Sequence, residues 1–271
     1  MPELPEVETT RRGIEPHVLG TRITNIIVRR WDLRQPVSHD IDQIEGKQIQ
    51  HVLRRSKYLL LSLDDGCTLL IHLGMSGSLR ILESGDEWKT HDHLGISVSH
   101  GKQLRFHDPR RFGLVLRITG NPDSHPLLNH LGPEPLENGF TQSHLKAACA
   151  KRSSAIKSVI MDAKVVVGVG NIYASEALFR AGIQPRTPAQ RLTSPKLEKL
   201  LTAIRIVLSE AIEEGGTTLR DFLHSDGQPG YFKQKLFVYD RAGEPCRVCD
   251  STIRHAVIAQ RSTYWCPICQ K

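Results

Sequence analysis

The sequence predicts an α+β protein built from three successive parts, and three observations support this. Short segments rich in Ile, Val and Leu follow one another through the first half, and helical periodicity dominates the second half. Four of the six cysteines lie at the C-terminal end. We therefore expect a mostly β domain over residues 1–132, a linker over 133–140, a helical domain over 141–236 and a cysteine module over 237–271.

The N-terminal part opens with a helix and continues with strands. Residues 5–19 predict the helix, because Pro5 suits a first helical turn and Val7, Ile14 and Val18 share one side. Asp64-Asp65-Gly66 marks a hairpin between two apolar segments. The predicted strands are 22–30, 50–54, 58–63, 68–73, 95–99 and 114–118. Such a domain forms a two-layer sandwich or a flattened barrel.

The middle part is helical after residues 131–139, a stretch with two prolines and two glycines that predicts the linker. Its clearest helix is predicted to begin at Ser194 as N-cap, with apolar residues at i, i+3, i+4 and i+7 as far as Ile212. Gly215-Gly216 ends that helix. Residues 217–231 are polar and interrupted by Gly and Pro, which predicts an irregular loop.

The composition limits the classes of protein that this chain can belong to. Hydrophobic residues make up 39%, which predicts a globular core. Thirty-six Lys and Arg against 29 Asp and Glu give a net charge of +7, which favours a polyanionic partner such as nucleic acid. No apolar run approaches the ~20 residues of a membrane span, and no secretory signal is visible. We therefore expect a cytoplasmic protein.

The C-terminal cysteines form two Cys-x-x-Cys pairs, the spacing of a tetrahedral zinc site in a reducing compartment. A disulfide pairing would need an oxidising compartment. Four thiolates fill the coordination sphere, so the zinc is expected to be structural and zinc-dependent hydrolysis is excluded. The predicted ligands are Cys246, Cys249, Cys266 and Cys269. Cys67 and Cys149 are isolated and are expected to be buried, unreactive thiols.

The N-terminus carries a proline in a position where proline can be a nucleophile. If Met1 is removed, Pro2 presents a secondary amine, with Glu3 and Glu6 close by. A secondary amine attacks an aldehyde carbon and forms an iminium, which withdraws electrons from neighbouring bonds. An α-amino group titrates near about pH 8, so part of it is unprotonated at neutral pH. The same residues also suit an ordinary first helical turn.

Two loops carry residues able to enter a base stack. Gly74-Met75-Ser76-Gly77 and Arg110-Arg111-Phe112-Gly113 lie beside predicted strands. An exposed Met or Phe flanked by Arg can wedge between bases, although both residues also serve as core residues.

Three further groups are candidates for phosphate contacts. His91-Asp92-His93 lacks a second set of metal ligands and predicts a hydrogen-bonding or phosphate-contacting loop. Gly168 and Gly170 predict a tight turn, with Asn171 capping a helix whose first amides suit a phosphate or simply start the helix. Lys57 is either a positioned ammonium or a surface lysine.

These motifs together resemble the formamidopyrimidine-DNA glycosylase family of bacterial repair enzymes over essentially the full length. The motifs that carry the resemblance are Pro2-Glu3-Leu4-Pro5-Glu6, Lys57-Tyr58-Leu59-Leu60, His72-Leu73-Gly74-Met75-Ser76-Gly77, Asp108-Pro109-Arg110-Arg111-Phe112-Gly113, Gly168-Val169-Gly170-Asn171-Ile172-Tyr173 and the final cysteine pair. The resemblance implies an N-terminal β-sandwich, a helix–two-turns–helix domain and a zinc-finger β-hairpin with one zinc ion. It also implies a monomer that binds double-stranded DNA with oxidised bases or abasic sites in the bacterial cytoplasm, at the nucleoid.

The resemblance implies a bifunctional glycosylase and abasic-site lyase that removes 8-oxoguanine and formamidopyrimidines and cleaves the strand by β,δ-elimination. Pro2 would form the Schiff base, Glu3 would be the general acid and Glu6 would orient the amine or the sugar. Lys57 would serve β-elimination and Arg261 δ-elimination. The positions that match DNA contacts are His91, Arg110, Arg152 and Asn171, and those that match the filler of the vacated stack are Met75, Arg110 and Phe112.

Two alternative functions remain open, and three residues differ from the pattern of the family. The chain could be an endonuclease VIII-like glycosylase that prefers oxidised pyrimidines, against which Leu4 and the loop 217–231 both argue, or a non-catalytic zinc-containing DNA-binding protein. Ala163 stands where the family usually has an amide side chain, and Gly95 where an acidic residue is expected. Asp250 replaces a glycine, although Asp tolerates a left-handed turn.

Overall fold

The computed structural model of the chain describes residues 2–215 and 236–271, so the predicted loop at 217–231 lies outside the described residues. These residues divide into two compact units. Unit 1 comprises residues 2–129 with 214–215, and unit 2 comprises residues 130–213 with 236–271. No described helix is long and apolar enough to cross a membrane.

Unit 1 is a β-sandwich that begins with helix α1, Leu4–Val18. One antiparallel sheet has the order β1-β6-β7-β5 and the other β2-β3-β4-β8. The strands are β1 Ile23–Val28, β2 Ile49–Arg55, β3 Tyr58–Leu63, β4 Thr68–His72, β5 Ser78–Glu83, β6 Asp92–Val98, β7 Lys102–His107 and β8 Leu114–Ile118. Apolar side chains of α1 and both sheets share one core. The sandwich alternative is therefore confirmed.

The sequence prediction missed strands β5 and β7, because polar residues interrupt the apolar pattern by which a buried strand is recognised. Arg80 and Arg105 interrupt the apolar residues, and Gln103 adds a third polar position. All three side chains are nevertheless buried. Arg105 donates to the carbonyls of Asp86 and Glu87, so the segment after β5 covers this polar face of the sheet. Period-2 alternation does not reveal a strand whose polar face is also covered.

Unit 2 contains four helices and the C-terminal hairpin. The elements are α2 Gln142–Cys149, α3 Ile156–Ile160, α4 Asn171–Arg180, α5 Ser194–Glu213, β9 Arg254–Ile258 and β10 Arg261–Trp265. The predicted starts of α4 and α5 were wrong by one residue: Asn171 and Ser194 are the first helical residues rather than N-caps. For α4 the N-cap is Gly170, and the Asn171 side chain has a different partner, described below.

The segment expected to be a linker, 133–140, is held against α5. Arg205 of that helix donates to the carbonyl oxygens of Pro135, Glu137 and Phe140 at 2.8–3.2 Å. Phe140 is fully buried. The amide of Val167 adds a hydrogen bond to the carbonyl of Pro133. The segment is thus an ordered part of unit 2.

Candidate active site

The N-terminal residues are buried at the start of α1. Pro2 and Glu3 directly precede the helix, and both are buried. The Glu6 carboxylate accepts a hydrogen bond of 2.7 Å from the amide of Glu3, as one half of a capping box formed by these two residues. That amide belongs to the peptide group that joins Pro2 to Glu3. Glu6 therefore fixes the orientation of the residue that carries the candidate nucleophile.

A partly buried ion-pair network connects α1 to the turn that carries Lys57. Glu8 pairs with Arg11, Arg12 and Arg54 at 2.9–3.2 Å. Burial raises the pKa of Glu8, but hydrogen bonds from Arg11 and Arg12 outweigh it, so the pKa lies below its usual value. Arg54 also donates to the carbonyl of Ser56 at 3.0 Å. The two segments with candidate catalytic residues in unit 1 are thus tied together by charge-assisted hydrogen bonds.

Lys57 lies in the tight turn between β2 and β3, where Ser56 has a left-handed φ of 56°. Its charge acts on His72, a buried residue at the end of β4. Burial, followed by the charges of Arg34 and Lys57, lowers the pKa of His72 to about 4. The amide of Gly74 donates to Nδ1 of His72 at 2.9 Å, which assigns the proton of the neutral ring to Nε2. Sequence reasoning gave His72 no role of its own.

The three gap-filling candidates come together in unit 1. The Arg110 guanidinium lies 4.8 Å from the ring centroid of Phe112, and the Phe112 side chain is 43% exposed. Met75 is half-buried, and it lines with Phe112 and His72 a cavity of about 310 Å³. A cation stacked on a partly exposed ring beside an apolar cavity suits insertion between bases. We call Met75, Arg110 and Phe112 the wedge.

The two wedge loops touch through a pair of glycines. Gly74 has a φ of +68°, and a Cβ placed on it would lie 2.4 Å from the amide nitrogen of Gly113. A Cβ on Gly113 would lie 2.7 Å from the carbonyl oxygen of His72. Neither position accommodates a side chain, so these glycines are required for the close approach of the backbones.

Asp108 organises the same loops and was not singled out from the sequence. Its carboxylate is fully buried and accepts hydrogen bonds from Ser76 Oγ and the Gly113 amide, both at 2.8 Å. The Arg110 amide donates more weakly, at 3.3 Å. His93 Nε2 lies 2.8 Å from the Asp108 carbonyl oxygen. Asp108 thus defines the backbone that presents the wedge.

His91 is exposed in the turn before β6, while its neighbour Asp92 is buried. Asp92 pairs with Arg80, and its carboxylate lies 2.8 Å from Nδ1 of His107. The ring centroids of His91 and His107 are 5.8 Å apart. Within residues 2–215 and 236–271, the sole cluster of metal-ligand type is the cysteine cluster, so this motif forms no metal site there.

In unit 2 the structure brings Asn171 and the start of β10 together. The Asn171 amide donates to the carbonyl of Ser262 at 2.9 Å. Lys157, a buried residue of α3, donates to the same carbonyl at 3.0 Å and to Oγ1 of Thr263 at 2.9 Å. The preceding residue, Arg261, is exposed. Lys157 was not predicted to be functional, and sequence periodicity gives no indication that its ammonium is buried.

Arg261 follows the tight turn of the C-terminal hairpin. Ala259 and Gln260 both have left-handed φ values, 46° and 62°, as a two-residue type I′ turn requires. Arg261 pairs with Ile258 in the ladder. Arg152, which the resemblance implies to contact DNA, follows α2 in the same unit and pairs with Asp162 at 2.9 Å.

The four C-terminal cysteines form the expected metal site. Their Sγ atoms lie within 4.8 Å of one another, with individual separations of 3.4, 3.5 and 3.9 Å. Zinc–sulfur bonds of about 2.3 Å require sulfur separations near 3.8 Å in a tetrahedron, so the donors fit one zinc ion. Asp250 has a φ of 58°, the left-handed turn expected of it. Cys67 and Cys149 are buried, as predicted.

The β-sandwich with its buried proline start, and the helical unit that ends in a four-cysteine hairpin, are the parts that the resemblance to base-excision DNA-repair enzymes implies. Three family models match successive parts of the chain. They are the formamidopyrimidine-DNA glycosylase N-terminal domain at residues 1–115, the H2TH domain of the same enzyme at 131–223, and a zinc finger found in FPG and IleRS at 243–271. The chain belongs to the formamidopyrimidine-DNA glycosylase family.

Individual relatives agree with this assignment over the full length. The formamidopyrimidine-DNA glycosylases of Cronobacter sakazakii and Methylococcus capsulatus are 56% and 54% identical, with all of both chains covered. The crystal structure of the MutM (Fpg) protein from Thermus thermophilus is 40% identical, with a TM-score of 0.90 over 99% of this chain and 98% of the other. A Lactococcus lactis FPG mutant in complex with Fapy-dG-containing DNA is 32% identical, with a TM-score of 0.92 over all of both chains.

Proposed function

We propose that this chain removes oxidised purines from double-stranded DNA through a Schiff base on Pro2 and then cleaves the strand at the resulting abasic site. The observation that carries the proposal is the buried Pro2–Glu3 peptide group held by the Glu6 carboxylate at the start of α1. This arrangement supports a positioned amine, which becomes a secondary amine nucleophile once Met1 is removed.

The steps as far as the first elimination use residues of unit 1. The Pro2 nitrogen bonds to C1′ of the damaged nucleotide as the bond from C1′ to the base breaks, and the proton that the Pro2 nitrogen loses neutralises the departing base. Glu3 gives a proton to the ring oxygen of the sugar, which opens and leaves an iminium between Pro2 and C1′. Water accepts the acidified C2′ proton as the 3′ phosphate leaves, and loss of the C4′ proton in a second elimination expels the 5′ phosphate. We assign the charge of Lys57 to stabilising the leaving phosphate in the first elimination.

Access to C1′ requires that the nucleotide leave the stack. The wedge supports this step, because its apolar side chains and the Arg110 guanidinium can occupy the vacated space. We also assign His91, which lies in the same unit, to a contact with the DNA backbone.

Unit 2 supplies the remaining groups. Asn171 and Lys157 hold the carbonyl of Ser262, next to Arg261, which we assign to the second elimination. Arg152 is assigned to DNA phosphates. When bound, zinc supplies folding energy to the hairpin that presents Arg261, and no substrate position remains at a site with four thiolates. Reduced thiolates and a DNA substrate favour action in the bacterial cytoplasm.

Trapping with sodium borohydride tests the proposal directly, because it reduces the iminium to a stable covalent adduct. We expect the zinc-loaded chain to cross-link to duplexes with 8-oxoguanine or an abasic site, and Pro2→Gly to lose most of this product. The matched control is the fraction of the same preparation that keeps Met1, identified by intact mass, which should be inert. Failure of Met1-free protein to give an adduct would overturn the proposal, and preference for thymine glycol over 8-oxoguanine would overturn the substrate assignment.

A further inference from the structure

Unit 1 contains a second cavity, which is polar and has a volume of about 480 Å³, beside the wedge loops. Its residues come from three places: the end of β1, the turn before β6 and the segment after β7. The residues that line it are Arg29, Arg30, Thr90, His91, Asp92, His93, Pro109 and Arg111. We call it the basic pocket. Only His91 among these residues has been assigned above to DNA.

The three arginines of the basic pocket are each held by protein contacts. The Arg29 guanidinium lies 5.2 Å from the ring centroid of Trp88 and donates to the carbonyl of Lys89. Arg30 and Arg111 both pair with Asp32, at 2.8 and 3.1 Å. The guanidiniums are therefore positioned before a ligand arrives, which lowers the entropic cost of binding an anion.

The acidic groups of the region leave the basic pocket positively charged. Asp92 is 1% exposed, and its carboxylate is engaged with Arg80, Arg105 and His107. Asp32 is 68% exposed and shared by two arginines, so it offsets one of three guanidinium charges. A guanidinium fork matches the oxygens of a phosphate group.

The backbone at Arg111 connects the basic pocket to the wedge. Arg111 has a left-handed φ of 57°, which is unusual for a residue with a long side chain. On either side of it, Arg110 and Phe112 stack on each other, while Arg111 itself pairs with Asp32. Consecutive arginines thus serve two adjacent surfaces, one for the vacated stack and one for the basic pocket.

We propose that the basic pocket binds a phosphodiester group of the DNA backbone next to the lesion, with Arg29, Arg30 and Arg111 as phosphate ligands. The proposal rests on the proposed function for the identity of the DNA. Phosphates follow one another at about 3.4 Å of rise along each strand, so insertion of the wedge brings backbone phosphates close to Arg111. Asp32 orients two of the arginines and also opposes the phosphate charge.

The test is the salt dependence of binding to a duplex with an uncleavable abasic-site analogue, measured with the full-length, zinc-loaded chain. We expect Arg29→Gln and Arg30→Gln each to weaken binding roughly three- to tenfold at low salt, and the double variant to make the slope of log K against log salt less negative by about 0.9, the value for one phosphate. Asp32→Asn should strengthen binding, because it removes a negative charge from the same place. The matched control is Arg22→Gln, an exposed arginine just before the other end of β1, which should bind as the unaltered chain does.

An unchanged slope in the double variant, or an equal loss of affinity in Arg22→Gln, would overturn the proposal. A second measurement separates DNA from free phosphate: thermal unfolding with inorganic phosphate at constant ionic strength. If the pocket variants bind DNA normally but lose stabilisation by phosphate, the basic pocket is a site for small anions and the proposal is wrong. Borohydride trapping with the unaltered chain tests the proposed function separately, so the two can fail independently.

Discussion

The hydroxyl of Ser76 donates to the Asp108 carboxylate at 2.8 Å, and this contact joins the loop after β4 to the loop after β7. The second oxygen of Asp108 accepts from the Gly113 amide. Because both loops carry wedge residues, the geometry of the wedge depends on a buried carboxylate.

Asp108→Asn should damage the wedge. The substitution keeps the shape but replaces one acceptor oxygen with an amino group, so either the Ser76 hydroxyl or the Gly113 amide loses its acceptor, at a cost of about 1–3 kcal/mol. We expect lower stability in urea and slower excision of 8-oxoguanine under single-turnover conditions, with a smaller effect on trapping at a preformed abasic site. Ser76→Ala, which removes one hydrogen bond, should show a milder form of both effects. Equal losses on both substrates would contradict a role in opening the stack.

His72 should make the protein sensitive to mild acid. Its pKa is about 4 in the folded state against 6.5 for the free side chain. Between these values the unfolded chain binds a proton that the folded chain does not, so stability falls as the pH decreases from 6.5 to about 4, by about 3 kcal/mol in total. His72→Asn retains an acceptor for the Gly74 amide without titrating, and it should flatten this part of the urea-stability profile. The control His51→Asn changes an exposed histidine of β2 and should leave the profile as it is.

The sequence sufficed to predict elements with regular apolar spacing, such as α1 and β3, but not β5 and β7. The latter carry Arg80 and Arg105 on a face that another segment covers. The local periodicity of a sequence reveals the burial of apolar side chains but not that of polar ones.

The residues of the candidate site also divide into those that the sequence could predict and those that it could not. Pro2 and the cysteines could be singled out because their chemistry is intrinsic to the residue type or its spacing. Asp108, Lys157 and His72 could not, because their roles arise from partners distant in sequence that only the fold brings near. Asn171 was singled out, but its contact with Ser262 depends on the hairpin.

Gly95, which departs from the acidic residue expected there, should be required by Trp88. A Cβ at this position would lie 2.7 Å from Cη2 of Trp88 and 2.8 Å from Cδ of Gln103, and the Arg105 guanidinium stacks on the Trp88 ring at 4.2 Å. We expect Gly95→Ala to destabilise unit 1 by about 1–3 kcal/mol and Trp88→Leu to remove the part of that cost that is due to Trp88, a coupling measurable in a double-mutant cycle. Gly85→Ala is the control, because a Cβ there meets nothing within 4 Å. Additive effects of the two substitutions would show that Trp88 does not restrict position 95.

Removal of zinc should unfold the hairpin locally. A two-stranded hairpin is marginal alone, and Cys246 and Cys266 belong to a small core with Val238 and Ile253. We expect a chelator, or Cys249→Ser, to abolish protection of hairpin amides from hydrogen exchange and to reduce DNA affinity, with recovery of the chelated protein on addition of zinc. Cys149→Ser, at a buried cysteine outside the cluster, should keep the zinc content unchanged. Full affinity in the metal-free protein would contradict this expectation.

Lys157→Met should separate the placement of Arg261 from zinc binding. The substitution removes the hydrogen bonds from the ammonium to the Ser262 carbonyl and to Thr263 and leaves the four cysteines in place. We expect normal zinc content and normal borohydride trapping per bound complex, together with a lower ratio of the β,δ-elimination product to the β-elimination product. Lys157→Arg retains the charge and donors and should restore part of that ratio, whereas Arg261→Gln should lower it further. A normal product ratio in Lys157→Met would show that the contact with Ser262 does not position Arg261, and loss of zinc would show that Lys157 acts on the fold of the hairpin instead.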